Sequence, residues 1–175
     1  RNMAQGFGEA AKRNKVGKII YLGGIITPGQ EASPHLQARV DTGRILAESG
    51  VPTFELRAGV VIGSGSASFE MLRYLTERLP AMITPRWVRT RTQPIAIRDV
   101  LRYLVLAADL PPEVNRTFEI GGPEVLSYQE MMQAYARVAG LPRRIILPIN
   151  VLSPGLSSHW VNLVTPVPKS IARPL

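Results

Sequence analysis

Apolar residues recur along the chain at two spacings, and these spacings divide it into helices and strands. The segment GKIIYLGG at 17–24 is a short apolar run that ends in two glycines, which is typical of a buried parallel strand. VPTFELRAGVVIG at 51–63 predicts a second strand. Helices are predicted over 2–14 and over about 34–48, where Gly50 lies just past the end. This alternation predicts an α/β fold with a parallel sheet.

Helices and strands alternate through the rest of the chain as well. The clearest helix lies over 127–140, because Ser127 and Glu130 form a capping-box pattern at its start. The other predicted elements are helices over 67–78 and 98–110, strands over 116–122 and 143–149, and a segment over 84–97 that is irregular and then extended.

Two predicted helices carry an apolar stripe that we expect to face the core. The stripes consist of Met3, Phe7, Ala10 and Ala11 in the first helix, and of Val100, Leu101, Leu104, Ala107 and Ala108 in the helix over 98–110.

Composition narrows the class of protein. With 175 residues, 45% of them hydrophobic, the chain can form one domain with a core. No apolar run approaches the roughly 18 residues of a membrane span, so we expect no membrane partner. Cysteine is absent, which excludes disulfides and thiolate sites and fits a cytoplasmic protein. The two histidines, His35 and His159, are too few for a multi-histidine metal site, and we expect no metal.

Charge is unevenly distributed along the chain. The formal net charge is +8, and the residues from 131 onward include five basic side chains and no Asp or Glu. Such a segment indicates either a nucleic-acid surface or a surface whose acidic complement lies on other sequence. Runs of Lys and Arg with interleaved aromatic residues are absent, which favours the second interpretation. A nucleic-acid partner is therefore not expected.

The segment GVVIGSGSASFE nearly matches a phosphate-binding glycine loop. A strand, Gly63, Gly65 and a following helix fit the G-x-G-x-x-G dinucleotide pattern, but Ser68 stands at the third glycine. No strand with an acidic ribose partner follows about 20 residues later. The alternatives are a pyrophosphate site and a flexible turn into a helix, and the departures from the pattern favour the turn.

Four segments, in this order, resemble one superfamily. They are KIIYLGGI, SPHLQARVDTGRILAESGVPTFELRAGVVIGSGSASFE, QPIAIRDVLRYLVLAAD and TFEIGGPEVLSYQEMMQAYARVAG. Together they resemble the extended and atypical short-chain dehydrogenases/reductases, which include epimerase-like NAD(P)-binding proteins. The resemblance covers nearly the whole chain.

The resemblance implies where this chain lies in the longer fold. The chain would begin just before the fifth strand of a Rossmann-like domain, so that the dinucleotide phosphate loop would lie upstream. A chain that starts without Met and inside a helix fits such a C-terminal fragment. Residues 1–83 would complete the NAD- or NADP-binding domain, and residues 84–175 would form a small mixed α/β substrate-binding lobe. The loop at Gly63 would then pass near the nicotinamide.

Site residues are also implied by the resemblance. Hydride-transferring members use a Tyr-x-x-x-Lys pair on a helix and a Ser or Thr at the end of the preceding strand. His35 and Arg39 stand at the Tyr and Lys positions here, and glycines stand where the hydroxyl is expected, with Thr27 three residues further on. The implied cofactor-binding residues are Gly23, Gly24, Arg39, Arg57, Ala58, Gly59, Val60 and Ile62.

Each candidate has an alternative interpretation. His35 is either a proton donor or a side chain at a pocket mouth without a proton-transfer role. Arg39 either contacts a ribose or carboxylate or is a surface charge. Arg86 and Arg89, around Trp87, either clamp an anionic substrate or belong to a solvated loop.

Two functions are compatible with these residues. The first is an NAD(P)-dependent oxidoreductase or epimerase acting on a small carbonyl or alcohol substrate. The second is a protein that binds NAD(P) without turnover and serves as a sensor, regulator or assembly factor. The substrate and the oligomeric state are not readable from the sequence.

If the phosphate loop lies upstream, these 175 residues alone should bind nicotinamide cofactors weakly or not at all. Titration of the 175-residue chain with NADH and NADPH, followed by cofactor fluorescence, measures this directly. Tight binding by this chain would refute its placement after the phosphate loop.

Overall fold

Helices form where the apolar spacing and the helix boundaries predict them. The computed structural model describes residues 2–26, 33–111 and 115–149. The α-helices in this part of the chain are α1 (Asn2–Arg13), α2 (Pro34–Ala47), α3 (Ala67–Arg78), α4 (Ile97–Asp109) and α5 (Tyr128–Val138), and a 3-10 helix spans Arg86–Arg89. The predicted helix positions are therefore confirmed to within one or two residues at each end.

Strands are shorter and more numerous than the sequence pattern predicts. They are β1 (Ile19–Gly24), β2 (Thr53–Ala58), β3 (Val61–Ile62), β4 (Ala81–Pro85), β5 (Arg91–Thr92), β6 (Ile95–Ala96), β7 (Arg116–Ile120), β8 (Leu126–Ser127) and β9 (Ile145–Ile149). The strand predicted over 51–63 is interrupted after Ala58, and β4 and β8 were not predicted.

The chain folds into two compact units. The first unit consists of 1–59 and 95–121, and the second of 60–94 and 122–175. This division differs from the predicted boundary at residue 83. Because β7 pairs with β2, residues 95–121 belong to the first unit although they follow that boundary. The assignment of 1–83 to cofactor binding and of 84–175 to substrate binding stays a prediction.

The first unit is built on a parallel sheet. Its strand order is β1-β2-β7, and Ile19 pairs with Thr53 while Ala58 pairs with both Gly24 and Ile120. This confirms the predicted α/β fold with a parallel sheet. A buried cluster joins α1, β1, α2 and the segment just before β2, and its members are Ala11, Ile19, Leu46 and Val51.

A single lysine fixes the C-terminal end of α4 in the first unit. The ammonium of Lys18 donates to the carbonyl oxygens of Ala107 at 3.2 Å and Ala108 at 2.8 Å. It also lies 5.1 Å from the ring centre of Phe54. A cation at this position satisfies carbonyl groups that the helix leaves unpaired and complements the helix dipole.

The two predicted apolar stripes are only partly buried, so this prediction was wrong in part. In α1, Ala11 is buried but Met3 and Phe7 are 89% and 59% exposed. The reason is that α1 packs through small residues, since a Cβ added to Gly8 would lie 2.7 Å from the Cβ of Ser49.

In α4, Val100 and Ala107 are buried, whereas Leu101 is 55% exposed and Ala108 is exposed. Apolar residues occur on more than one face of this helix. Val100 and Ala107, seven positions apart, lie on the face that is buried.

The second unit packs two helices against a two-stranded sheet. β4 and β9 are parallel, and Met82 pairs with Ile146. Its core draws on α3, α5, both strands and the 3-10 helix, and the buried members are Val60, Met71, Leu72, Leu75, Met82, Val88, Tyr128, Met131, Met132 and Ile146.

A buried arginine links three elements of this unit. Arg144, 7% exposed, donates from Nε to the carbonyl oxygen of Thr76 at 2.8 Å. Its backbone N–H and C=O are both bound by the side-chain amide of Gln133, at 3.1 and 2.6 Å. These hydrogen bonds join α3, α5 and the residue before β9.

Other sequence predictions fall outside the described part of the chain. The tail from residue 150 onward, which includes His159, and Thr27 are not described. Over residues 2–26, 33–111 and 115–149, no helix has the length and apolar character needed to cross a bilayer.

The capping box predicted at the start of α5 is confirmed. The backbone N–H of Ser127 donates to Glu130 Oε2 at 2.6 Å, and the backbone N–H of Glu130 donates to Ser127 Oγ at 3.2 Å. The hydrogen bonds from Ser127 hold the pKa of Glu130 below its usual value. By contrast, Ser66 at the start of α3 makes no side-chain capping bond.

Replacement of Ser127 by alanine should lower the free energy of unfolding by about 1 kcal/mol, because an N-cap hydrogen bond is lost. The matched control is Ser66→Ala, which removes no cap and should change stability by less than about 0.5 kcal/mol. Urea unfolding of the two variants measures both values. Equal losses of unfolding free energy in the two variants would show that the capping box does not stabilise the protein.

Candidate functional site

The carboxyl ends of β1 and β2 meet at one edge of the first unit. Gly24 pairs with Ala58 there, and α2 follows β1 in the chain. Ser33 caps α2, its hydroxyl accepting the Leu36 N–H at 3.3 Å, and Pro34 occupies the first turn. Ligands of parallel α/β sheets bind outside the carboxyl ends of the strands, so this edge is the candidate site.

His35 lies in the first turn of α2 and is exposed. Among the described residues its imidazole has no hydrogen-bond partner, so nothing described fixes its ring. The side chain is accessible to a ligand, and its role as a proton donor stays a prediction.

Arg39 ties α2 to the end of β1. Its Nη2 donates to the carbonyl oxygens of Leu22 at 2.9 Å and Gly23 at 3.3 Å, and the Tyr21 hydroxyl donates to the carbonyl oxygen of Arg39 at 3.0 Å. Its Nε is buried and has no hydrogen-bond partner among the described residues. The arginine thus has a structural role in the helix–strand contact and also brings a positive charge to the candidate edge.

Glu55 and Arg57 form an ion pair on one face of β2. Arg57 Nη2 lies 2.8 Å from Glu55 Oε2, and the side-chain exposures are 33% for Arg57 and 8% for Glu55. The hydrogen bond to Glu55 raises the pKa of Arg57 against the opposing effect of burial. Arg57 pairs in register with Gly23 at the carboxyl end of β1. A permanently charged guanidinium therefore stands at the candidate edge, partly open to solvent.

The buried carboxylate of Glu55 fits between two glycines. A Cβ added to Gly23 would lie 2.5 Å from Glu55 Oε1, and a Cβ added to Gly43 would lie 2.7 Å from the same oxygen and 2.8 Å from Cδ. Glu55 Oε1 itself has no hydrogen-bond partner among the described residues. Gly23 is therefore explained by the side chain on the next strand, because a Ser or Thr there would collide with Glu55.

Gly24, the second glycine of the pair, is restricted by α2. A Cβ at this position would lie 2.6 Å from Leu36 Cδ1 and 3.7 Å from Arg39 Nε. Sequence reasoning did not single out Tyr21 or Gly43. The available signal was a glycine in the middle of α2, since such a residue weakens a helix and indicates a close approach.

The implied cofactor-binding residues separate into two groups. Gly23, Gly24, Arg57 and Ala58 lie near the carboxyl ends of β1 and β2, Arg39 contacts that end of β1, and Gly59 follows β2. Val60 and Ile62 belong to the second unit, where Val60 is buried in the core and Ile62 packs against it. Their side chains serve that core.

In the glycine loop before α3, a backbone N–H that could bind an anion is already bound by a carboxylate of the same chain. The Gly65 N–H donates to Glu70 Oε1 at 3.3 Å, and Glu70 Oε2 pairs with Arg73 at 2.9 Å. Gly65 has φ +83°, which favours glycine. A carboxylate of the same helix therefore occupies a donor that a phosphate would need, which favours the turn interpretation of this loop.

Arg86 and Arg89 are exposed at the two ends of the 3-10 helix in the second unit. Residues three apart in a 3-10 helix lie on the same side, so the two guanidinium groups share a face. Val88 is fully buried, and Trp87 packs edge-on against Tyr128 with ring centres 5.3 Å apart. The described residues give Arg86 and Arg89 no ion-pair partner.

The sequence predicts no metal site, and the residues that could bind a metal here are His, Asp and Glu. Within residues 2–26, 33–111 and 115–149, no three His, Asp or Glu side chains come together as a potential ligand set.

Comparison with solved structures identifies the fold. The chain superposes on a nucleoside-diphosphate-sugar epimerase from Staphylococcus aureus with a TM-score of 0.69, 16% identity and coverage of 97% of this chain and 57% of that one. The UDP-glucuronic acid 4-epimerase from Bacillus cereus in complex with NAD matches with a TM-score of 0.66 and 14% identity. That match covers 98% of this chain and 63% of the other. MoeE5 in complex with UDP-glucose and NAD matches with a TM-score of 0.65 and 18% identity. That match covers 84% of this chain and 56% of the other.

These likenesses confirm the Rossmann-like α/β fold. The chain spans little more than half the length of the solved structures it matches. No protein-family model matches the sequence. The search of curated proteins finds no significant match.

Replacement of Gly43 by alanine should lower the free energy of unfolding by about 1–3 kcal/mol, because the new methyl group would overlap the Glu55 carboxylate. The matched control is Gly6→Ala in α1, where a Cβ meets nothing within 4 Å. That substitution should raise stability by about 0.5–1 kcal/mol through helix propensity. Chemical denaturation of the two variants measures the difference.

The Glu55→Ala variant tests whether the Glu55 carboxylate causes the destabilisation by Gly43→Ala. Removal of the carboxylate should abolish most of the penalty of Gly43→Ala, as a double-mutant cycle would report. A Gly43→Ala variant as stable as Gly6→Ala would contradict the close packing of Glu55.

Proposed function

We propose that this chain is part of an NAD(P)-binding protein of the extended short-chain dehydrogenase/reductase type that acts on a sugar nucleotide or a related carbonyl or alcohol substrate. The observation that carries the proposal is the pair of guanidinium groups, Arg39 and Arg57, at the carboxyl ends of two adjacent parallel strands. Arg57 keeps one third of its side chain exposed for a ligand.

The residues present fit the nicotinamide half of such a cofactor. Gly23 and Gly24 add no side chain at the end of β1, and the space beside them is taken by Glu55 and Leu36. Guanidinium donors suit ribose hydroxyls and carboxamide oxygens, and Arg39 and Arg57 carry Nε groups that have no partner among the described residues. When bound, the cofactor would accept or supply a hydride.

His35 would handle the proton in this reaction. A neutral imidazole can take the proton of a substrate hydroxyl as the hydride leaves the adjacent carbon, and it can return that proton in the reverse direction. Arg39, one helical turn further on, would hold the ribose side of the site, as the Lys of the usual pair does in the resembling superfamily. The exposure of His35 is compatible with contact to a substrate.

Arg86 and Arg89 would bind the anionic part of the substrate. Two exposed arginines at the ends of a 3-10 helix offer donors for phosphate oxygens, to which arginine binds in bidentate fashion. The similar solved structures are named for nucleoside-diphosphate sugars or contain UDP-glucose, and such molecules carry a diphosphate.

A second function is favoured by one specific observation. Gly23 lacks the hydroxyl of the usual Ser or Thr, and Glu55 fills the space where such a side chain would begin. A site without that hydroxyl and without the Tyr suits a protein that binds NAD(P) as a sensor, regulator or assembly factor and does not turn it over.

Substitution of His35 by alanine distinguishes the two functions. In the whole protein, including the upstream segment, His35→Ala should lower kcat by about 100-fold or more if His35 transfers the proton, with little change in cofactor affinity. Gln37→Ala, at an exposed position on the same helix, is the matched control and should leave kcat unchanged. Reduced-nicotinamide absorbance with nucleoside-diphosphate sugars measures turnover, and calorimetry measures cofactor binding.

The outcomes separate clearly. Turnover that survives His35→Ala would exclude the proton-donor role. Cofactor binding without turnover on any tested sugar nucleotide, alcohol or carbonyl compound would support the sensing function. If the whole protein bound neither NAD(H) nor NADP(H), both functions would be wrong.

A further inference from the structure

Arg57 stands between two carboxylates in the sheet of the first unit. It pairs in register with Gly23 of β1 on one side and with Glu119 of β7 on the other. Glu55 precedes it by two positions on β2, so Glu55, Arg57 and Glu119 project from the same face of the sheet. Both carboxylates raise the pKa of Arg57, and the hydrogen bond to Glu55 has the largest effect. The position of the guanidinium therefore depends on which of the two carboxylates holds it.

The carboxylate that holds Arg57 lies on the β1 side. Glu55 Oε2 is 2.8 Å from Arg57 Nη2, and Glu55 Oε1 is 2.5 Å from the position that a Cβ on Gly23 would take. Glu119 is exposed, and among the described residues it forms no ion pair with Arg57. The guanidinium is thus drawn toward the carboxyl end of β1, which Arg39 also contacts.

Glu55 is confined by its surroundings, whereas Glu119 is not. The Glu55 side chain is 8% exposed, and its Oε1 lies 2.7 Å from the position of a Cβ on Gly43 of α2. A confined carboxylate can hold its partner in one place, because it has few alternative side-chain conformations of its own. An exposed carboxylate such as Glu119 keeps its hydration and its rotamer freedom, so it attracts a guanidinium without fixing it.

We propose that Glu55 is a positioning residue, which holds the guanidinium of Arg57 at the carboxyl end of β1 and away from Glu119. The inference rests on the proposed function, in which Arg57 donates to ribose hydroxyls or to the carboxamide oxygen of a nicotinamide cofactor. Glu55 is buried and acts on the ligand only through Arg57. The Arg57 side chain, which is 33% exposed, stays open to that ligand.

The ion pair with Glu55 prepares Arg57 for binding. A long side chain that moves freely in the unbound protein loses conformational freedom when a ligand orders it, and this loss weakens the affinity. Arg57 has a fixed position before a ligand arrives, because Glu55 already binds it. Removal of the Glu55 charge should therefore weaken cofactor binding, although Glu55 touches no atom of the cofactor.

Glu55→Gln tests this role in the whole protein, including the upstream segment. The substitution keeps the size of the side chain and removes its charge, so that Glu119 becomes the carboxylate that attracts Arg57. The dissociation constants for NADH and NADPH, measured by calorimetry, should rise by about threefold to tenfold, as expected when one long side chain must be ordered on binding. The matched control is Glu48→Gln, which removes an exposed carboxylate 3.2 Å from Arg44 and should leave both constants unchanged.

An Arg57→Gln background separates positioning from a general structural role. Without the guanidinium, Glu55 has nothing to position, so the addition of Glu55→Gln to Arg57→Gln should change the dissociation constants by less than about twofold. A residue that only packs α2 against the sheet would weaken binding equally with and without Arg57. Urea unfolding in the absence of cofactor shows whether each variant is folded.

Two further variants act on the same contact from other sides. Gly43→Ala keeps both charges but overlaps the Glu55 carboxylate, so it should also weaken cofactor binding, and only when Arg57 is present. This variant tests the contact even if Glu55→Gln does not fold. Glu119→Gln removes the competing carboxylate. Alone it should leave the affinity unchanged, and combined with Glu55→Gln it should restore part of the lost affinity.

The outcomes distinguish this inference from the proposed function. If the whole protein with its natural residues binds neither NADH nor NADPH, both are wrong. If it binds a cofactor and Glu55→Gln binds equally tightly, only the positioning role is wrong. An equal loss of affinity in the Arg57→Gln background would also overturn that role, because Glu55 would then act through the packing of α2. A Glu55→Gln variant that regains no affinity on Glu119→Gln would contradict it as well.

Discussion

The carboxylate of Glu55 imposes the constraint on which the first unit depends. It lies almost without solvent between β1 and α2, paired through one oxygen with Arg57 and confined by Gly23 and Gly43. A buried carboxylate loses hydration that its partner must replace, so the ion pair and the close packing have to form together. The distance between α2 and the sheet is therefore set by a polar group, which is unusual for a helix–sheet contact.

This packing determines what α2 presents at the carboxyl ends of the strands. Because Gly43 brings the helix close to β2, Arg39 one turn earlier reaches the carbonyl groups of Leu22 and Gly23. The contacts of Arg39 and Gly43 fix α2 against the sheet, and His35 lies one turn nearer the helix start, exposed.

Sequence patterns predicted most of the fold and a smaller part of the site. Helices with clear boundaries, such as α5 with Ser127 and Glu130, were predicted because capping and apolar spacing are local properties. β4 was missed because Ala81–Pro85 pairs with a strand more than sixty residues away and carries no strand pattern of its own.

The site was harder to predict for the same reason. Arg39 and Arg57 were expected there, whereas the ion pair of Arg57 with Glu55 was not among the predictions. The need for glycine at positions 23 and 43 arises from contacts among three separate segments. Leu101 was expected in the core because a helix with apolar residues on several faces does not reveal which face is covered.

The chain passes between the two compact units three times, after residues 59, 94 and 121. Neither unit is a continuous piece of sequence, since 60–94 interrupts the first and 95–121 interrupts the second. No single cut in the chain can release an intact unit, because each unit is built from two separate stretches of sequence.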